Sequence, residues 1–478
     1  MDPAINQPEK TIFSNMCVFF KAKFEAITKS VRKIGEDDPR RVVHSIKVGL
    51  ALTLVSLFYY YRPLYDGFGQ AGMWAVLTVV VVFEYTVGGT LGKCINRGGA
   101  TLLAGALGVG AEYLASLCGE KGEPFVLAIL VFLLASVSTF TRFIPNVKKR
   151  YDYGVLIFIL TFSLVAVSGS RVDEILQMAH QRLSTILIGG ATCIFISVSF
   201  CPVWAGEDLH DSTAANLEKL ADFLQGFGGE PILAAQGDES CVISPKDDNS
   251  DKEKSYLKGY RSVLNSKHVE ESLANFAWWE PSHGRFRLRH PWKQYLKIGT
   301  LARECACLME TLIGCESHIP DPQFKIQPAC TKMCVESGKA LRELSSAVKA
   351  MTFPLPATEI HVQNSKYASD DLKTALEKST FPAKSDLREL MPLLVIASTL
   401  TDITKCVEQI SGSVGELAQK AHFKKPKPKQ ANLLHRGIVK PIDQNFDRVN
   451  ELRADDRVVI EITDMAPDNK NPLFVHPG

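Results

Sequence analysis

Six apolar stretches follow one another between residues 42 and 202, at about 43–61, 72–87, 94–117, 124–140, 151–168 and 181–201. Each is long enough, or nearly so, to cross a bilayer, which takes roughly 20 helical residues. Such a run leaves little choice of architecture. In lipid every backbone N–H and C=O must be satisfied internally, which only helices and closed barrels achieve. The second stretch, GMWAVLTVVVVFEYTVG, is β-branched enough to pass for a buried strand. Its neighbours decide for a helix, because an isolated strand cannot satisfy its backbone in lipid. The average composition of the 478 residues (46% hydrophobic, 22% charged, net charge +2) hides this partition. The expected fold class is all-α: a six-span α-helical membrane domain (42–202) with a helical cytosolic C-terminal domain (203–478). A cytosolic amphipathic basic segment (1–41) precedes them.

Lys and Arg in short loops set the orientation. Seven lie between Lys21 and Arg41, ahead of the first span. Lys93 and Arg97 follow the second span, and Arg142, Lys148, Lys149 and Arg150 follow the fourth. The alternate loops hold only Arg62, Lys121 and Arg171. The basic set faces the cytosol, so both termini are expected there. Phe13, Phe20, Phe24, Ile27, Val31 and Ile34 form one helical stripe flanked by lysines. That helix is suited to an anionic membrane lipid surface, or to packing on the soluble domain.

The spans carry a candidate internal repeat. NRGGATLLAGA from Asn96 matches QRLSTILIGGA from Gln181, and MWAVL from Met73 matches DYGVL from Asp152, at offsets of 85 and 79. Three spans per half would give the halves opposite orientations, as in inverted-repeat transport folds. Arg97 and Arg182 then become equivalent positions, each followed by small residues that let helices approach closely. An ionised side chain inside a span is costly and usually faces a partner or a wet cavity. Arginine suits carboxylates because its planar fork makes two parallel hydrogen bonds. Arg97, Arg182 and, more weakly, Lys93 are therefore the expected pore or anion-binding residues; the alternative for each is snorkelling to a headgroup. Lys47 and Glu84 are expected to pair and hold helices in register. Asp66 and Asp173 are the candidates for sensing an outer cation.

The soluble half reads as helices over 211–227, 255–278, 291–315, 330–348 and 386–411. A flexible loop is expected at 228–254, a basic linker at 422–430, and strand-like alternation only at 458–462. The aromatic, basic segment WWEPSHGRFRLRHPW, with Trp279, Glu280 and Pro281, is either a docking loop against the spans with a structural or gating role, or a packed interhelical corner. The 12 cysteines show neither metal-site spacing nor a convincing disulfide framework. Gly105–Gly110 is glycine-rich but sits inside an apolar stretch, and no HExxH, GxSxG or paired-carboxylate site stands out. Neither catalysis nor a cofactor nor a resident metal is expected. The near-zero net charge gives no case for nucleic acid.

The strings DDPRRVVHSIKVGLALTLVSLFYYY, MWAVLTVVVVFE, GKCINRGGAT, YDYGVLIFILTFSLVAVSG, GEDLH and WEPSHGRF together resemble the plant aluminium-activated malate transporter family. The resemblance implies a homodimeric, voltage-dependent anion channel that passes malate and often inorganic anions. It places the family's pore arginines on Arg97 and Arg182. Aluminium activation is expected to be weak or absent, since a trivalent cation wants several converging carboxylates and Gln177, one turn from Asp173, is neutral. The plasma membrane is favoured over the vacuolar membrane. The runner-up function is a coupled organic-anion carrier, and a non-transporting membrane anchor is a third reading.

Overall fold

Polar and apolar residues at three- and four-residue spacing should give helices, and a computed structural model of the chain is helical throughout. It describes residues 8–60, 73–119, 121–167, 172–229, 255–316, 326–378 and 387–425. Among them no strand forms, only two isolated bridges. The expected loop at 228–254 falls outside them except for Gly228 and Gly229, which are helical; the linker beyond Lys425 and the alternation at 458–462 lie outside as well.

The N-terminal segment is helix α1 (Pro8–Asp37), with Phe24, Ile27, Val31 and Ile34 exposed. Then come α2 (Pro39–Tyr60), α3 (Met73–Val82), α4 (Val87–Ser116), α5 (Glu123–Thr141), α6 (Pro145–Arg150), α7 (Asp152–Val167) and α8 (Val172–Ser199). The C-terminal half supplies α9 (Ala205–Gly229), α10 (Ser255–Leu264), α11 (Lys267–Ala277), α12 (Trp292–Glu316), α13 (Gln327–Ala350), α14 (Pro356–Lys378) and α15 (Leu387–Lys420).

Among the described residues, two helices are long and apolar enough to cross a membrane: Glu123–Thr141, and Arg182–Ser199 within α8. Met73–Val82 and Asp152–Ala166 are apolar but shorter. The second apolar stretch ends earlier than expected and the third begins earlier. Thr86 is the reason: its hydroxyl caps α4 by accepting the Gly89 N–H at 3.2 Å, and the Thr90 hydroxyl accepts the Glu84 N–H at 3.0 Å. Side-chain oxygens that satisfy free N–H groups stop one helix and start the next.

Three hydrophobic clusters hold the described chain. One joins α2, α3 and α8 through Ala51, Val55, Val79, Cys193 and Ile196. A second joins α4, α5 and α7 through Ala104, Ala111 and Phe162. The third and largest fills the bundle of α9 to α15, around Tyr260, Tyr295, Phe223 and Leu220. The first two clusters meet where α4 packs on α8.

The bundle sits against one end of the apolar helices. Arg40, at the start of α2, donates to Asp208 at 2.8 Å. The Val87 N–H, at the start of α4, donates to the Val203 carbonyl at 2.9 Å. Trp279 meets Tyr151, just before α7, edge to face at 6.0 Å. Every one of these contacts is at the end to which the basic loops also belong.

Candidate anion-binding site

Arg97 is buried on α4, where its Nη1 donates to the Tyr153 hydroxyl of α7 at 3.1 Å. Arg182 is half-buried on α8, with its guanidinium 4.5 Å from the centre of the Trp74 ring of α3. Trp74 is the second residue of Met73-Trp74-Ala75-Val76-Leu77, and Tyr153 is the second of Asp152-Tyr153-Gly154-Val155-Leu156. Each arginine thus meets an aromatic residue at the matching place of the other half. Neither makes an ion pair among the described residues, and the Nε of each is buried without a hydrogen-bond partner there. A cation against an aromatic face gains about 0.5–2 kcal/mol while keeping its charge. Two guanidinium groups with donors to spare, carried on helices that touch each other, can bind a carboxylate.

Lys93 lies one turn before Arg97, ion-paired to Glu84, its Nζ 5.6 Å from the centre of the same Tyr153 ring. The expected Lys47–Glu84 pair does not form. Because α3 stops at Val82, Glu84 sits in the turn beside the first part of α4, within reach of Lys93. Lys47 instead donates to the Cys201 carbonyl at 2.8 Å, just past the end of α8. A cation there is favoured by the partial negative charge of a helix C-terminus.

The segment after α11 combines both readings offered for it: it is a packed corner, and it also touches the apolar helices. Glu280 is buried and accepts the N–H groups of Ala205 at 2.6 Å and Gly206 at 3.1 Å. Those are the first free donors of α9, where a carboxylate is favoured. The Gly88 N–H of α4 acts on the same carboxylate, so one side chain serves two helix N-termini. Burial pushes the Glu280 carboxyl upward, against these N–H groups and His283, which favour its ionised form. Trp279 packs on Gly92, and Trp278 lies under the Arg150 guanidinium at 4.3 Å. The Pro281 carbonyl lies 2.9 Å from Nδ1 of His283, which stacks on Trp204.

Two features escaped the sequence reading. Glu112 is buried on α4 with Oε2 unpartnered among the described residues; a lone acid within the third apolar stretch was the signal. His210 and His290 both meet the Tyr295 hydroxyl, at 2.9 and 3.2 Å, inside the bundle of α9 to α15. Burial, then His210 and His283, lowers His290 to about 4. Asp66 and the side chain of Asp173 lie outside the described residues, and no metal-holding cluster occurs among those described.

Residues 32–385 match the family model "Aluminium activated malate transporter". The chain is 49% identical over 452 residues to aluminum-activated malate transporter 2 of Arabidopsis thaliana, covering 94% of this chain and 87% of that protein. It is 48% identical over 409 residues to transporter 1 of the same plant, covering 84% and 81%. Transporter 1 of Triticum aestivum is 45% identical over 430 residues, covering 86% and 90%. With the model matched over most of its length and near half identity to such relatives, the chain belongs to the aluminium-activated malate transporter family.

Proposed function

We propose that this chain is a passive, voltage-dependent channel for malate and small inorganic anions, with six spans and both termini in the cytosol. The observation that carries the reading is the pair Arg97, buried, and Arg182, half-buried, both without carboxylate partners among the described residues and each held against an aromatic residue. A guanidinium locked to a carboxylate would have no use for a passing anion; one resting on a ring, as Arg182 does, or bonded to a neutral hydroxyl, as Arg97 is, attracts it without holding it fast. Conduction needs that balance. The relatives are named as malate transporters, and the family is one of transporters, not enzymes.

Six spans are supported by α5, none of whose 19 residues is buried, and by the docking of the soluble bundle at one end of the apolar helices. An inverted repeat is supported by the exchange of third helices: α8 completes the cluster of α2 and α3, and α4 that of α5 and α7. In a homodimer, the two copies would bring four guanidinium groups to one pathway. The plasma membrane is the favoured location, with weak or no aluminium activation; both follow the sequence reading alone.

The competing reading is a coupled carrier, for which Glu84 and Glu112 are the intramembrane carboxyls. Whole-cell current in oocytes, with malate varied on both sides, separates the two. A reversal potential that follows the malate gradient and ignores proton and sodium gradients is the expected result. One that also tracks the proton or sodium gradient makes the protein a carrier, and silence with verified surface expression favours the anchor.

A further inference from the structure

A cavity of about 670 Å³ opens between α4, α5 and α7, a volume within the roughly 300–1,000 Å³ usual for small-ligand pockets. Gly99, Leu103, Val137 and Phe158 form apolar walls, and Trp278 and Trp279 line one end. Neither Arg97 nor Arg182 lines it. The tryptophan end is also the basic end. The Arg150 guanidinium lies over Trp278 at 4.3 Å, and the Arg150 carbonyl accepts from Asn96 in the cavity wall at 2.7 Å. Arg142 is neutralised by Asp152 at 2.7 Å, whereas Lys148 and Lys149 are exposed. No acidic residue occurs from Arg142 to Tyr151. One wall belongs to α5, so the cavity shares its surroundings with the exposed Phe132 and Phe140.

We propose that this cavity seats an acyl chain of an anionic phospholipid from the cytosolic leaflet, with Lys148 and Lys149 at its headgroup. The inference rests on the six-span reading, which makes the surroundings of α5 lipid and sets the basic turn at the negatively charged cytosolic surface. Charge complementarity selects this occupant. A zwitterionic lipid fits the apolar walls equally well but gains nothing from the lysines. A second copy related by a two-fold axis through this patch would oppose basic turn to basic turn.

The test uses the full chain in phosphatidylcholine vesicles carrying tail-brominated phosphatidylserine, or tail-brominated phosphatidylcholine, as a quencher of tryptophan emission. We expect half-quenching at an about fivefold lower fraction of the serine lipid, the order set by one lysine at an anionic surface. Lys148→Gln with Lys149→Gln should abolish the preference. Gly99→Leu should weaken quenching by both lipids, because a Cβ at Gly99 meets nothing within 4 Å and the side chain is free to enter the cavity. Equal quenching by the two lipids in the unaltered chain overturns the proposal, as does a Gly99→Leu chain that quenches normally. Absence of quenching by either lipid, the result if a second copy covers the cavity, overturns it too. Release of the chain from vesicles by alkaline carbonate sinks the six-span reading along with it, whereas a retained chain without lipid preference sinks only the lipid site.

Discussion

A guanidinium group that meets a phenol hydroxyl or a ring instead of a carboxylate keeps its charge available, and that distinguishes Arg97 and Arg182 from the paired Arg142 and Arg303. Charge-assisted hydrogen bonds contribute about 1.5–3 kcal/mol. Arg182→Ala and Arg97→Ala should therefore each lower malate current about tenfold or more, while surface expression persists; unchanged current at equal expression removes them from the pathway. Glu336 makes a different kind of prediction. Burial opposes its ionisation, but bonds from His361 at 2.8 Å, Lys339 at 2.9 Å and Asn364 at 3.1 Å outweigh it and hold the carboxyl at about 2. A folded value below the ordinary 4.5 means stability that is complete above pH 4.5 and lost as pH falls through 2. The Tm of the full chain in detergent should fall across that window. Glu336→Gln should lower it at neutral pH and flatten the decline.

Among the elements, the contacts that α4 and α9 make with α11 and the segment after it leave no room for a side chain at Gly88 or Gly206. A Cβ at Gly88 would lie 2.2 Å from the Phe276 carbonyl oxygen, and one at Gly206 would lie 2.4 Å from the Trp292 indole. Overpacking of this kind costs about 1–3 kcal/mol. Gly88→Ala and Gly206→Ala should each lower Tm and speed proteolysis within 278–290. Gly98→Ala, where the added methyl meets nothing within 4 Å, should be neutral or stabilising, since Ala is favoured over Gly in a helix by about 1 kcal/mol. If all three behave alike, close packing at these contacts is not what holds them. Helix α14 shows the opposite side of legibility. Its sequence is too polar to advertise a buried face, yet Ser365 and Ser369 are buried. Ser365 pairs with Ser337 at 2.7 Å and with Thr404 at 3.1 Å. Hydroxyls that satisfy one another interrupt the buried stripe of Val362, Ala368 and Leu372 by which a packed helix is normally read.

For the whole molecule, passive and coupled flux differ in whether a titratable carboxyl inside the spans takes part in transport. Glu84 was the carboxyl on which the carrier reading leaned, and its ion pair with Lys93 gives it a structural task. Glu84→Gln should leave the reversal potential and the pH dependence of transport unchanged, with at most a modest loss of amplitude as Lys93 loses its partner. A changed proton dependence in that variant would revive the carrier. Glu112 calls for the same substitution and the same readout.

The all-helical class was legible in the chain because apolar run length and three-to-four periodicity are local properties, and the family was legible in strings such as GKCINRGGAT and WEPSHGRF. Partner choice was not. Whether Lys47 meets Glu84 or the Cys201 carbonyl depends on where α3 stops, and Thr86 and Thr90 stop it through hydroxyl bonds whose strength is no greater than that of many alternatives. Likewise, nothing in the order of residues states that Glu280 will serve the N-termini of α4 and α9 together. Segments more than 100 residues apart must first be packed side by side before one carboxylate can satisfy free N–H groups from both. That convergence is a product of the tertiary structure.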